Sequence, residues 1–124
     1  MTTWRWIDRR GLELLHDESL AEHGGRSGLR DESALARPRS LAAYGTPDVF
    51  DLAAAYGVGL VKSHPFVDGN KRAAFLGLAL FLALNGQRLV ATQVDATLTM
   101  LGVAAGKVDE DALARWLREH SRPR

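Results

Sequence analysis

The residues best suited to chemistry fall within nine consecutive positions, HPFVDGNKR from His64 to Arg72. His64 carries the side chain whose ordinary pKa, about 6.5, lets it take a proton from an attacking hydroxyl at neutral pH. Asp68 is a hard oxygen ligand of the kind Mg²⁺ takes when it also holds phosphates. Gly69 allows the backbone to approach an anion closely and to adopt positive φ where required. The amides around Gly69 and Asn70 open a helix, where unpaired N–H groups and the positive dipole end attract anions. Lys71 and Arg72 add two full positive charges to the first turn, where dipole electrostatics alone disfavour cations. Placing them there makes sense if an anion such as a nucleotide phosphate is bound. Phe66 is expected to point inward and fix the loop on the core. Taken singly, each residue has a plainer role. A histidine ending a helix complements its dipole, an aspartate before Gly-Asn caps the next helix, and a Lys-Arg pair is a solvated face. Their conjunction at this spacing points to a phosphate-handling site.

The elements that must position this loop can be read from punctuation. Asp48 can cap a helix over Val49 to Ser63 that is nearly all Ala, Val, Leu, Gly and aromatic. A helix apolar on most faces is buried rather than amphipathic. His64-Pro65 ends it, since the residue before proline is pushed out of the helical region. A second nearly uncharged helix runs from Asn70 to Leu84, with Asn85-Gly86 as its stop. Upstream, Asp8 can cap a first helix carrying Leu12, Leu15 and Leu20 and closed by Gly24-Gly25. Asp31 can cap a short helix over Glu32–Arg37 that Pro38 stops, leaving residues 38 to 48 as a loop. Downstream, Thr92 and Asp95 resemble a capping box for a helix reaching about Ala105, which Gly106 closes. Asp109, Glu110 and Asp111 open the last helix and Arg118 and His120 end it, matching the macrodipole.

Composition agrees with this outline. Nineteen Leu and 18 Ala against nine Val plus Ile favour helix over sheet. The 124 residues make one domain, 1–124, with room for one core. Sixteen Lys plus Arg against 15 Asp plus Glu leave a net charge of +1, which gives no support to direct nucleic-acid binding. The absence of cysteine excludes disulfides, thiolate catalysis and zinc sites built on sulfur. The longest stretch without a charged or strongly polar residue, Ala73 to Leu84, is too short for a membrane span, and the charged N-terminus lacks a signal-peptide pattern. A cytosolic location is expected. GVAAGKV at Gly102 to Val108 departs from a Walker A loop in both glycine spacing and the residue after Lys107. The four histidines show no paired zinc-ligand spacing. The expectation is an all-α compact bundle whose two most buried helices are joined by one short polar loop.

HPFVDGNKR resembles the signature of the Fic superfamily, HxFx[DE]GNxR, and the lysine after Asn70 makes it similar to the death-on-curing (Doc) branch, toxins of toxin–antitoxin pairs. HGGRSGLRD, RPRSLAAYG, DLAAAYGVGLVKSHPF, FLALNG and ALARWLREH extend the resemblance over nearly the whole chain. It implies a Fic/Doc-type helical bundle with the active-site loop between two central helices. By the same resemblance, His64 would deprotonate a target hydroxyl and Asp68 would hold Mg²⁺. Gly69, Asn70, Lys71 and Arg72 would bind the phosphates of ATP, with His64, Asp68, Asn70 and Arg72 as the catalytic set.

The Doc branch resembles a protein kinase in outcome, moving the γ-phosphate of ATP onto a threonine of translation elongation factor Tu and stopping protein synthesis. Related Fic enzymes transfer AMP instead. Their motif has Gly where this chain has Lys71 and a second Arg where it has Phe75, so both positions match the Doc branch. The alternatives are an AMP-transferring Fic enzyme and a catalytically silent binding module of the same fold. The expected partner is a Phd-like antitoxin whose peptide occupies an apolar groove beside the site. Relative to the Doc pattern, about one helical turn is missing between GLRD and ARP. The shortened Asp31–Arg37 segment therefore bears on target identity more than on chemistry.

Overall fold

A computed structural model describes residues 3–8, 10, 11, 13, 14, 33–63 and 70–124. Among these the order is α1 (Ser33–Tyr44), α2 (Val49–Ser63), α3 (Asn70–Leu84), β1 (Gln87–Leu89), α4 (Gln93–Ala104), α5 (Glu110–Glu119) and β2 (Ser121–Pro123). The fold is all-α with one small ribbon, as the composition suggests. α2 is its centre and packs against each of the other four helices. Leu52 to Val58 are buried without interruption, which explains why this helix shows no polar face. Leu60, Leu78, Phe81, Leu82, Met100, Val103, Leu113 and Leu117 complete the core around it.

The helix starts follow local chemistry. Asp48 Oδ1 accepts from the Phe50 and Asp51 amides at 3.0 and 2.9 Å, while the Asp48 amide donates to Asp51 Oδ2 at 3.0 Å. This reciprocal pair fixes the start of α2. Thr92 accepts from the Asp95 amide at 3.1 Å and Asp109 from the Ala112 amide at 2.8 Å, capping α4 and α5. Asp8 accepts from the Gly11 amide at 2.7 Å, and residues 10, 11, 13 and 14 are helical. The remainder of that expected first helix, with Leu12, Leu15, Leu20 and Gly24-Gly25, lies outside the described residues. Gly86 and Gly106 have φ of 87° and 77°, the left-handed conformation that ends α3 and α4.

Two expectations are corrected. Pro38 does not stop a helix: it sits inside α1, which continues to Tyr44 and takes up most of the segment read as a loop. An interior proline forfeits an N–H bond and crowds the carbonyl one turn back, at about 3 kcal/mol. Tertiary contacts offset this. Pro38 is buried, Leu41 and Ala42 pack on the core, Arg39 lies 5.2 Å over the Trp6 ring, and Arg37 bonds Glu110 at 2.9 Å. The second correction is the ribbon. β1 pairs antiparallel with β2 in the register Gln87↔Pro123, Arg88↔Arg122 and Leu89↔Ser121. Bonds from the Val90 amide to the His120 carbonyl and from the Arg124 amide to the Gly86 carbonyl extend it.

Residues 3–8 run across the end of α3. The Arg5 amide donates to Asn85 Oδ1 at 2.9 Å and Asn85 Nδ2 returns a bond to the Arg5 carbonyl at 3.0 Å. The Ile7 amide donates to the buried Tyr56 hydroxyl at 3.2 Å, and Trp4 and Trp6 lean on Phe81.

Candidate functional site

The candidate loop is held by the two helices that bury most of their surface. α2 delivers the chain to Ser63 and α3 receives it at Asn70, so six residues span the gap. Gly57 and Gly77 set how close these helices lie. A Cβ on Gly57 would meet Leu78 Cδ2 at 2.8 Å and Leu113 Cδ2 at 3.1 Å; one on Gly77 would meet Leu60 Cδ1 at 3.0 Å. Residue 57 therefore faces 78 while 60 faces 77, the pairing of an antiparallel hairpin. Leu60, Leu78 and Leu113 are fully buried, so the spacing of the two anchors is part of the core.

Asn70 and Lys71 form the first helical residues of α3, and Arg72 is exposed in its first turn. Among the described residues α3 begins at the expected Asn70, and Arg72 is exposed. α2, α4 and α5 each carry a carboxylate in the first turn, namely Asp51, Asp95, and Glu110 with Asp111. α3 carries none. Its leading amides have no carbonyl within the helix to bond, and its first-turn charges are cationic rather than anionic. An anion fits this chemistry better than any side chain of the same turn. His64, Asp68 and Gly69 lie outside the described residues, as do Phe66 and the segment from residue 12 to residue 32 apart from residues 13 and 14.

Two further residues bear on the site. Lys62, exposed in the last turn of α2, places a third cation at the loop's upstream edge. Sequence reasoning passed over it because a lysine ending a helix is accounted for by the dipole. Phe75, one turn into α3, packs against the core, so apolar bulk occupies the position where AMP-transferring Fic enzymes have an arginine.

At its far end α2 is tied to α5. Arg118 bonds Asp48 Oδ2 at 2.7 Å, approaches Asp51 at 3.7 Å and lies 5.5 Å over the Phe50 ring. Partial burial pushes the Asp48 carboxyl up. The amide of Asp51, Arg118 and the amide of Phe50 together outweigh it and hold the group below its ordinary value.

Comparison with known proteins agrees with the loop and the architecture. The Fic/DOC family model matches residues 6–82, a span that includes α1 to most of α3 and the whole HPFVDGNKR segment. The chain is 34% identical over 119 residues to "Protein kinase doc" of Escherichia phage P1, covering 92% of this chain and 94% of that protein. It is 37% identical over 118 residues to "Toxin Doc" of Mycolicibacterium smegmatis, covering 88% of each. With a family match over more than half its length and relatives aligned almost end to end, the chain belongs to the Fic/DOC family, on its Doc branch.

Proposed function

We propose that this protein is the toxin of a toxin–antitoxin pair and a Mg·ATP-dependent phosphotransferase acting on a Thr or Ser hydroxyl, with translation elongation factor Tu as its target. The reading is carried by one observation. The HPFVDGNKR segment is intact in a chain that aligns over 94% of a relative named as a protein kinase. In this reading His64 takes the proton of the acceptor hydroxyl. The acceptor oxygen forms a bond to the γ-phosphorus, the bond to the β–γ bridging oxygen breaks, and ADP leaves. Lys71, Arg72 and the leading amides of α3 hold the phosphates, and Asn70 positions them beside Gly69. Asp68 would hold Mg²⁺, which when bound neutralises phosphate charge.

Phe75 supports γ- over α-phosphate transfer, because it removes a cation from the helix that binds the phosphates. A cytosolic Phd-like antitoxin is the expected regulator. Val94, Leu98 and Leu101, exposed at helical spacing on α4, offer apolar surface for its peptide.

The test uses purified protein, Mg²⁺, purified elongation factor Tu and ATP labelled at either the α or the γ position, with His64→Ala as control. Label reaching the factor only from γ-ATP, and only with His64 intact, is the expected result. Label from α-ATP makes the protein an AMP-transferase despite Lys71. Label from neither, on this factor, refutes the proposed target and directs attention to the shortened Asp31–Arg37 segment. Growth arrest that persists in His64→Ala identifies a binding module instead.

A further inference from the structure

The ribbon and the chain beside it bring Arg88, Arg122, Arg124 and the backbone of Arg5 to the end of α3 away from the candidate loop, with the Arg122 guanidinium donating to the Ser121 carbonyl at 2.7 Å. Arg88 and Arg122 face each other directly across the ribbon, both exposed. Arg124 is tied to the same turn by its amide on the Gly86 carbonyl and its guanidinium on the Ala83 carbonyl at 2.8 Å. The backbone of Arg5 is fixed beside this turn by its two bonds to Asn85. None of the four forms an ion pair among the described residues. Like charges directly opposite in a ladder destabilise it, so the Arg88–Arg122 pair is a local cost that folding does not require. α3 separates this cluster from the loop by about 22 Å, fifteen residues at 1.5 Å each.

We infer that this arginine ribbon is a docking surface for a single nucleic-acid strand, held through its phosphodiester backbone. Guanidinium forks match phosphate oxygens in pairs, and a strand brings successive phosphates that relieve the Arg88–Arg122 repulsion. Trp4, next to Arg5 in the chain and only half-buried against Phe81, is an aromatic ring on which a base can stack. The opposite face of the ribbon is committed to the fold, with Leu89 packed on the core and Ser121 buried. The ribbon therefore lies flat on the body and cannot enter a duplex groove, which favours a single strand over double-stranded DNA. The net charge of +1 conceals this surface because, among the described residues, six acids gather away from it at the starts of α2, α4 and α5.

The test is fluorescence anisotropy of labelled U12 RNA and dT12 DNA with the purified His64→Ala chain, a background that leaves the ribbon intact. Three to four phosphate contacts predict a salt slope of roughly −2 to −3, a loss of about 20- to 50-fold in affinity between 50 and 200 mM salt. Both oligonucleotides bind alike, and a 12-bp duplex binds more weakly. The double variant Arg88→Gln/Arg122→Gln loses about tenfold or more at 50 mM salt and flattens the slope by about 1.4, yet melts no lower than its parent. Arg115→Gln, an exposed arginine on α5, leaves binding unchanged. No binding at 50 mM salt, binding indifferent to the double variant, equal competition by poly-glutamate, or preference for the duplex overturns the assignment. Transfer of label by the wild-type chain is a separate readout, so either proposal can fail alone.

Discussion

Replacing Asp48 by alanine removes the cap of the central helix and its tie to α5 in one step. Oδ1 accepts from two amides at 3.0 and 2.9 Å, and Oδ2 binds Arg118 at 2.7 Å. Losing an N-cap costs about 1 kcal/mol. The ion pair, with both side chains nearly half exposed, adds roughly 0.5 kcal/mol. The sum is about 1.5 kcal/mol. Unfolding a chain of this length carries an entropy of roughly 0.26 kcal/mol/K, so Tm falls by about 6 °C. Asp48→Asn keeps a capping oxygen and loses only the charge, for about 0.5 kcal/mol or ~2 °C.

The effect also has a predicted pH dependence. The folded-state pKa of Asp48 lies below its ordinary value of 3.8, so the unfolded chain takes up the proton first. The stabilisation is complete well above that value and is lost as pH falls through the depressed folded pKa. The Tm gap between wild type and Asp48→Ala is therefore full at pH 7 and narrows in acid. Thermal denaturation followed by circular dichroism at both ends of that range measures it. A loss under 2 °C at pH 7, or a gap that does not shrink in acid, refutes the argument.

Three further outcomes are expected. Gly57→Ala overpacks against two buried leucines, a cost of 1–3 kcal/mol that about 1 kcal/mol of helix propensity only partly offsets. The net loss is about 1 kcal/mol, whereas Gly77→Ala, with its single contact at 3.0 Å, stays within about 0.5 kcal/mol; urea denaturation showing the reverse order contradicts the close-approach reading. Gly86→Ala meets no atom within 4 Å but is forced to φ 87°, so it loses about 1 kcal/mol from the backbone alone, with Gly86→Asn losing less. Arg72→Ala, at an exposed position, leaves the melting curve unchanged and lowers kcat/KM for phosphate transfer by about 10- to 150-fold, the equivalent of one charged hydrogen bond at about 1.5–3 kcal/mol.

The features legible in the sequence are those decided within a few residues. Asp48, Thr92 and Asp109 mark helix starts because a cap is a bond to an amide two or three positions on. Gly86 and Gly106 mark ends for a similarly local reason. Pro38 misleads because its helix is held by Trp6 and Glu110, far away in the chain. The ribbon is invisible because three-residue strands show no period and their partners lie more than thirty residues apart. The candidate site was legible as a motif and as two flanking helices; among the described residues α3 begins at Asn70 as expected, while roles for His64, Asp68 and Gly69 rest on sequence and kinship. Lys62 was missed because its position has an ordinary explanation, and the arginine surface because a chain-wide sum says nothing of where charges gather.

The uninterrupted burial of Leu52 to Val58, against every other described helix, bears on how the molecule opens. A segment with neighbours on all sides has no partial release: detaching it exposes the contacts of α1, α3, α4 and α5 together. Its amides should therefore exchange with solvent deuterium only through global unfolding, at the slow limit set by total stability. Local breathing is left to the periphery, such as the ends of α4. α2 and the core-packed part of α3, with Leu78, Phe81 and Leu82, then belong to one cooperative unit, so heating toward Tm loosens other surfaces before it moves one of these helices against the other.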